Sequence, residues 1–430
     1  MNYSAALFSI IVAATTVSAF AQNETLSKGE YLARLGNCVA CHTVEDGAPF
    51  AGGLKMHVPM LGSIYTTNIT PDPETGIGDY SLADFDRAMR LGVAKDGHNL
   101  YPAMPYPSYA KISEDDMQAL YDYFMNEVTA VKQPNLPNEI ESPKDARWPL
   151  ALWNSLMLDE DRYQPNPEQS EAWNRGAYLV QGLGHCGACH TPRGAMLQEK
   201  GMDDSSPDFL SGAVLDHWYA SSLNGDINSG LGRWSEADIT AFLKTGKNQY
   251  GKAFGTMVEV VNNSTAHMTD ADLQAVAVYL KSLPAQKEKD AAPYQYNSST
   301  ADQLAGSDFS DPGAMIYYQN CIYCHGVEGA GRGPYMPPLA GNPVLMDPDP
   351  SSLINITLNG SLRLVSDGLP EAYDMPAYRL MLDDQQIADV VSFIRNGWGN
   401  VASKVTAESV ATIRAGTDTE ADDVIILQMK

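Results

Sequence analysis

Apolar side chains recur at helical spacing in three separated stretches of the chain. Met117, Leu120, Tyr121 and Phe124 do so within 113–125, Leu273, Val276, Ala277 and Leu280 within 269–283, and Ile387, Val390, Val391 and Ile394 within 383–395. Each stretch opens on a capping residue, Ser113, Thr269 or Asp383, followed by an acidic first turn, which predicts three amphipathic helices with defined starts. Far upstream of each lies a shorter helical signal containing glycine: Gly29-Glu30-Tyr31-Leu32, Gly176-Ala177-Tyr178-Leu179 and Gly313-Ala314-Met315-Ile316-Tyr317. Ser27 is placed to cap the first. The chain therefore reads as an internal repeat of short helix, loop-rich span and closing helix.

Between the repeats the pattern breaks. Residues 133–170 hold six prolines and read as a linker, interrupted by the apolar segment Trp148 to Leu158. A second linker covers 285–305, and a polar, acidic tail covers 400–430. Residues 1–21 carry no charged side chain, and an apolar stretch from Ala5 to Val17 leads to Ala19-Phe20-Ala21, a small-residue cleavage pattern. Removal of 1–21 as a signal peptide and export to the periplasm are expected. No later apolar run approaches the ~20 residues that a spanning helix needs.

Composition narrows the function. Mean hydropathy is −0.25, which excludes a polytopic membrane protein. The formal net charge of −25 makes the chain a poor partner for nucleic acid, whose phosphates it would repel.

All six cysteines fall in three identical patterns. Cys38-Val39-Ala40-Cys41-His42, Cys186-Gly187-Ala188-Cys189-His190 and Cys321-Ile322-Tyr323-Cys324-His325 are each C-x-x-C-H, the pattern of c-type haem attachment. Two thiols on one helical turn reach the two vinyl groups of one porphyrin, and the next residue offers an imidazole to the iron. A redox C-x-x-C or a zinc site would have to explain a histidine directly after the second cysteine three times over. The spacing from His42 to His190 is 148 residues and from His190 to His325 is 135, matching the repeat of helices. Three covalently bound haem c groups are expected. The arrangement resembles the small all-α class I cytochrome c domain. It implies an all-α fold of three tandem domains at 22–132, 171–284 and 306–399, joined by loop-rich linkers.

A sixth iron ligand from methionine would close each iron to substrates and raise its potential. Met104, in Tyr101-Pro102-Ala103-Met104-Pro105, and Met375, in Tyr373-Asp374-Met375-Pro376, stand at matching distances before their closing helices. In the second repeat Met257 is preferred to Met268, which abuts the helix cap. His57, His98, His185, His217 and His267 are read as surface or packing residues.

Longer motifs carry a family resemblance. Thr67-Asn68-Ile69-Thr70-Pro71-Asp72-Pro73-Glu74-Thr75-Gly76-Ile77-Gly78, Leu100-Tyr101-Pro102-Ala103-Met104-Pro105-Tyr106 and Trp173-Asn174-Arg175-Gly176-Ala177-Tyr178-Leu179-Val180 are among them. With Gly230-Leu231-Gly232-Arg233-Trp234-Ser235 and the ending Ile394-Arg395 to Trp398-Gly399-Asn400, they make the chain resemble one bacterial family. That family is the triheme cytochrome c subunit of membrane-associated alcohol, gluconate and sugar dehydrogenases. The resemblance implies a partner flavin- or quinoprotein dehydrogenase, a small third subunit, and ubiquinone or a terminal oxidase as acceptor. It also implies a place on the outer face of the inner membrane through peripheral contact. No G-x-G-x-x-G opens a helix after a strand, so no substrate active site is expected in this chain. A free periplasmic electron shuttle and a haem peroxidase or reductase with an open iron are the competing readings.

Overall fold

The computed structural model describes residues 26–58, 61–289, 291–366, 368–371 and 373–418. The expected signal peptide and residues 419–430 of the tail lie outside the described residues.

The three closing helices form at Glu114–Asn126, Asp270–Ser282 and Asp384–Arg395. Ser113, Thr269 and Asp383 cap them, each side-chain oxygen accepting the backbone N–H three residues on. The entry helices are Lys28–Leu35, Glu171–Gln181 and Pro312–Asn320. In every unit the entry helix crosses the closing helix with a glycine at the contact. A Cβ on Gly29 would lie 2.2 Å from the Ala119 carbonyl oxygen, on Gly176 2.0 Å from that of Ala275, and on Gly313 2.4 Å from that of Asp389. The helix backbones touch, and only glycine lets them.

The first and second units are interlocked by a reciprocal exchange. Tyr31, two residues after Gly29, donates its hydroxyl to Asp272 Oδ2 of the second closing helix at 2.7 Å. Tyr178, two residues after Gly176, donates to Asp116 Oδ2 of the first closing helix at 2.6 Å. The residues before the two glycines answer within their own units, Lys28 to Asp116 and Arg175 to Asp272, both at 2.7 Å. Burial pushes the Asp272 carboxyl up, but hydrogen bonds from Arg175 and Tyr31 outweigh it and hold it below its ordinary value. Met315 stands two residues after Gly313 and Gln386 at the matching site of the third closing helix, so the third unit lacks both halves of the exchange. The two large apolar clusters follow the same division, while a small third one packs Ala253, Val258 and Val261 of the second unit against Leu364 of the third. Leu32, Leu120, Leu179 and Leu273 of the first two units belong to one continuous cluster. Ile354, Ile387 and Val391 belong to a separate one in the third. Lys111, almost fully buried, reaches from the first unit to Gln181 Oε1 at 3.0 Å and the Met202 carbonyl at 2.9 Å.

The expectation of an all-α fold is corrected by three small antiparallel sheets. β1 (Lys55–Val58), β2 (Gly62–Tyr65) and β3 (Glu139–Ile140) form one, β4 (Ala213–Leu215) with β5 (Trp218–Ala220) another, and β6 (Val365–Ser366) with β7 (Leu369–Pro370) the third. None exceeds four residues per strand, too short for an alternating pattern to register in the sequence. The β4–β5 turn places Asp216 and His217 at φ 49° and 60°, the left-handed pair of a tight hairpin.

The segments read as loop-rich linkers are stitched to their neighbours. β3 lies within 133–170 and pairs Ile140 with Gly62, and the helix Trp148–Met157 follows it. In 285–305 the backbone N–H groups of Gln286, Lys287 and Glu288 all donate to Asp226 Oδ1, and a helix forms at Ser299–Ala305. The tail carries a helix, Ala407–Gly416, which buries Val410 and Ile413 against the third unit and pairs Arg414 with Asp384 at 2.6 Å.

The crossing predicts a specific sensitivity. Gly176→Ala should lower stability by about 1–3 kcal/mol, the usual cost of forcing an extra methyl into a packed contact. The check is the urea midpoint, against the exposed control Gly306→Ala, whose residue sits at φ −77° and whose Cβ would come no closer than 3.2 Å to another atom. A Gly176 variant no more destabilised than the control would contradict the backbone contact.

Candidate functional site

Each C-x-x-C-H motif lies on a single helical turn directly after its entry helix, at Cys38–Cys41, Gly187–His190 and Ile322–His325. Asn37 and His185, just ahead of the first cysteine in units one and two, adopt left-handed φ of 49° and 37° and swing the chain into the turn. None of the six cysteines is paired with another in a disulfide. Burial pushes the Cys38, Cys186 and Cys321 thiols up to about 12, and those of Cys41 and Cys189 up to about 11. A redox dithiol needs the opposite shift, toward thiolate. Among the described residues, no group of three or more His, Cys, Asp or Glu is arranged to hold a bare metal ion.

The three histidines share one geometry. His42 Nδ1 lies 2.7 Å from the Thr67 carbonyl oxygen, His190 Nδ1 2.7 Å from that of Ser221, and His325 Nδ1 3.1 Å from that of Pro337. A carbonyl can only accept, so each ring carries its proton on Nδ1 and leaves the Nε2 lone pair free to bind a metal. Burial lowers the pKa of all three, keeping the imidazoles neutral as ligation requires.

In the second unit Cys186, Cys189 and His190 face an apolar crevice of about 280 Å³, with Met257 and Met268 also on its wall. Met257 opens the short helix Met257–Asn263, whereas Met268 is 5% exposed and packed in the core shared by the first two units. The crevice is lined in part by its neighbours: Leu35 and Asn37 come from the first unit, Pro343 and Ser352 from the third. In the first unit Cys38 and Met104 pack against the shared core, and in the third Cys321 and Met375 pack against the separate core. Thiols for covalent attachment, a free imidazole nitrogen, a thioether and apolar walls suit a haem.

The first two motifs approach each other. A charge on Cys189 is felt at Cys41, after burial and Glu259 among the causes that raise its pKa. The buried Tyr109 ring lies 5.7 Å from the His185 ring and edge-on to it, and charges on Cys38 and Cys41 add to burial in raising its pKa. His185 also meets the Leu183 carbonyl through Nδ1 at 2.9 Å, a packing role as expected. His98 pairs with Asp96 at the surface, and His267 Nε2 meets the Asn262 carbonyl at 3.0 Å.

Sequence reading missed the carbonyls that orient the rings, because a backbone oxygen has no residue signature. Asn68 was within reach, since it heads the long first-unit motif. Buried at 2%, it donates to the Val131 carbonyl at 2.8 Å and accepts from Thr70 N–H at 2.9 Å and Thr70 Oγ1–H at 2.7 Å. It therefore pins the loop whose preceding carbonyl, Thr67, holds His42.

The Cytochrome c family model matches residues 26–127 and 310–398, the first and third units. The chain is similar over most of its length to several bacterial proteins. It is 49% identical to the gluconate 2-dehydrogenase cytochrome c subunit of Pantoea cypripedii, covering 92% of this chain and 90% of that one. It is 48% identical to the cytochrome c subunit of the quinone alcohol dehydrogenase of Gluconacetobacter polyoxogenes, covering 96% and 89%. With the fructose dehydrogenase cytochrome subunit of Gluconobacter japonicus it shares 35% identity over 93% and 84%.

Asn68→Ala leaves the buried Thr70 N–H without its acceptor and removes the shorter donor to the Val131 carbonyl, and should cost about 1–3 kcal/mol. Thermal unfolding measures this, and the loss should be largest in the signals of the first unit. An unchanged melting temperature would mean that the loop holds itself.

Proposed function

The chain belongs to the cytochrome c subunits of bacterial dehydrogenase complexes, and from that premise we propose that it is a triheme electron carrier fed by a dehydrogenase partner. The partner is a flavin- or quinoprotein that oxidises a CH–OH donor such as an alcohol, a sugar acid or a polyol. Ubiquinone or a terminal oxidase takes the electrons, and a small third subunit completes the complex. The observation that carries this reading is the triple Nδ1–carbonyl geometry behind the three C-x-x-C-H turns, together with full-length similarity to subunits of that kind.

Three class I cytochrome c domains, at 22–132, 171–284 and 306–399, each hold one covalent haem. Cys38 and Cys41, Cys186 and Cys189, and Cys321 and Cys324 make the thioether links. His42, His190 and His325 would each supply an imidazole ligand to an iron, and Met104, Met257 and Met375 would each supply a thioether. Bound in this way, the group supplies reversible one-electron iron chemistry in a site closed to substrates. The chain's own residues hold the rings, exclude water through apolar walls and set the distances between sites. Residues of both neighbours wall the second crevice, which supports a reading with the second haem as the middle station of the path.

Attachment to the outer face of the inner membrane is peripheral. Among the described residues no helix is long and apolar enough to cross a membrane. The helix Trp148–Met157 offers Trp148, Leu152 and Leu156 on one stripe, 74%, 57% and 62% exposed, as a surface for contact. Its other side is committed inward. Trp153 donates its indole N–H to the Met196 carbonyl at 2.8 Å, and Asn154 accepts from the Tyr106 hydroxyl at 2.6 Å.

The direct test is anaerobic mixing with the dehydrogenase co-purified from the same membranes. Adding that enzyme's substrate should reduce the cytochrome, as seen in its visible spectrum, and omitting the enzyme should abolish the reduction. Reduction by substrate without the dehydrogenase would overturn the role.

The haem count and ligands are checked separately. Intact mass of the mature protein should equal the chain from Gln22 plus three haem increments, and a fully matured sample with two would refute the count. Met257→Ala should open one iron to carbon monoxide while Met268→Ala does not. The reverse result would transfer the ligand role to Met268.

A further inference from the structure

Asp347 is the most thoroughly buried carboxylate near a haem motif that is not its own. It lies in the third unit, just after the helix Pro343–Met346, and is 1% exposed. Its Oδ2 accepts from Ser221 Oγ–H at 2.6 Å. Ser221 belongs to the second unit, and its carbonyl is the acceptor for His190 Nδ1. A two-step relay thus runs from the acid of the third unit to the imidazole of the second. The other oxygen, Oδ1, is buried without a hydrogen-bond partner.

The surroundings do not neutralise the acid by direct pairing. Arg395 Nη2 donates at 2.9 Å to the Asp347 backbone carbonyl, not to the carboxylate, and Arg395 Nη1 is itself unpartnered. Lys287 faces the site from the chain after the second closing helix, but its Nζ is engaged by the Ser211 carbonyl at 2.6 Å. Asp349 adds a like charge from the same loop, and Tyr219 is the titratable group on β5. The helix Ser351–Asn359 contributes no charged side chain. Burial is the main cause of a carboxyl pKa well above the ordinary value, and Asp349 adds to it. The Ser221 hydrogen bond, Arg395 and Lys287 oppose it. Pro348, the next residue, is exposed, so water is one residue away.

We propose that Asp347 is a positioning residue that couples electron uptake in the second unit to proton uptake at its own carboxyl. The inference rests on the triheme reading above. Asp347 takes one proton from water onto its carboxylate when one electron, supplied by the dehydrogenase partner, lowers the charge of the second site by one. It returns that proton when the electron moves on. The only bond formed or broken is O–H at Asp347, and charge balances across the step. The sign follows from electrostatics: an oxidised site with one more positive charge favours the carboxylate, and a reduced site favours the acid. The second haem's electron affinity should therefore fall as pH rises between the two pKa values of Asp347.

The test is a spectroelectrochemical titration of the intact mature protein from pH 5 to 9. The midpoint belonging to the second unit is identified as the one that Met257→Ala displaces. In the native protein that midpoint should fall with pH by up to tenfold in electron affinity per unit, ~59 mV for a one-electron couple. In Asp347→Asn the slope should vanish and the midpoint at alkaline pH should rise, with the other two midpoints unmoved. If that variant does not fold, Ser221→Ala decides. Losing the hydroxyl donor raises the acid's pKa, so the sloping window should move to higher pH. A slope that persists in Asp347→Asn, a window unmoved in Ser221→Ala, or a flat native midpoint overturns the proposal. Haem content measured on the same samples separates the two readings: fewer than three haems defeats the triheme reading, whereas three haems with a flat midpoint defeats only Asp347.

Discussion

Everything in this chain hangs from one constraint, the contact of helix backbones where entry and closing helices cross. A glycine with no Cβ sets the distance, at Gly29, Gly176 and Gly313. The crossing fixes the angle at which the entry helix ends, and the C-x-x-C-H turn begins a few residues later. The position of the thiols is thus inherited from a contact that contains no thiol. Dispersion between such close surfaces adds stability, but its larger effect is geometric.

The same crossing explains why the first two units share one core while the third is joined to the second by other contacts. Placing Tyr31 and Tyr178 two residues past the glycine aims each hydroxyl across the crossing at the partner's closing helix. There it meets an acid three residues after the helix cap. Two charge-assisted hydrogen bonds, each worth about 1.5–3 kcal/mol, then hold the pair. Both polar links sit beside a continuous apolar core shared by the first two units. In the third unit methionine replaces the tyrosine, and the interface with the second is made instead by loops and by Asp347, Ser352 and Asn355.

The sequence was most informative where one residue type does one local job. The closing helices begin where Ser113, Thr269 and Asp383 indicate, because a cap is a local device. The cysteines and their histidines declare themselves by spacing. The hairpins stayed hidden, since pairs of two to four residues leave no periodic trace, and the proline-rich linkers looked like loops although their backbone groups are tied down. What could not be read at all was tertiary. Tyr31 gives no hint of Asp272, 241 residues away, and Asp347 sits in an Asp-Pro-Asp-Pro run that looks like exposed turn. The tail, polar by composition, hides Val410 and Ile413 on the one face that matters.

A crevice whose walls come from three units also governs how the molecule can be divided. Leu35 and Asn37 of the first unit and Pro343 and Ser352 of the third line the second pocket, so cutting away either neighbour would bare an apolar wall of the middle unit to water. A contiguous uncovered apolar surface is an aggregation liability. The loop that brings Asp347 to Ser221 also leaves with the third unit, so an excised middle unit would lose a polar contact as well as a wall. The repeat is therefore modular in sequence but not in solvent, and its parts are soluble only in one another's company.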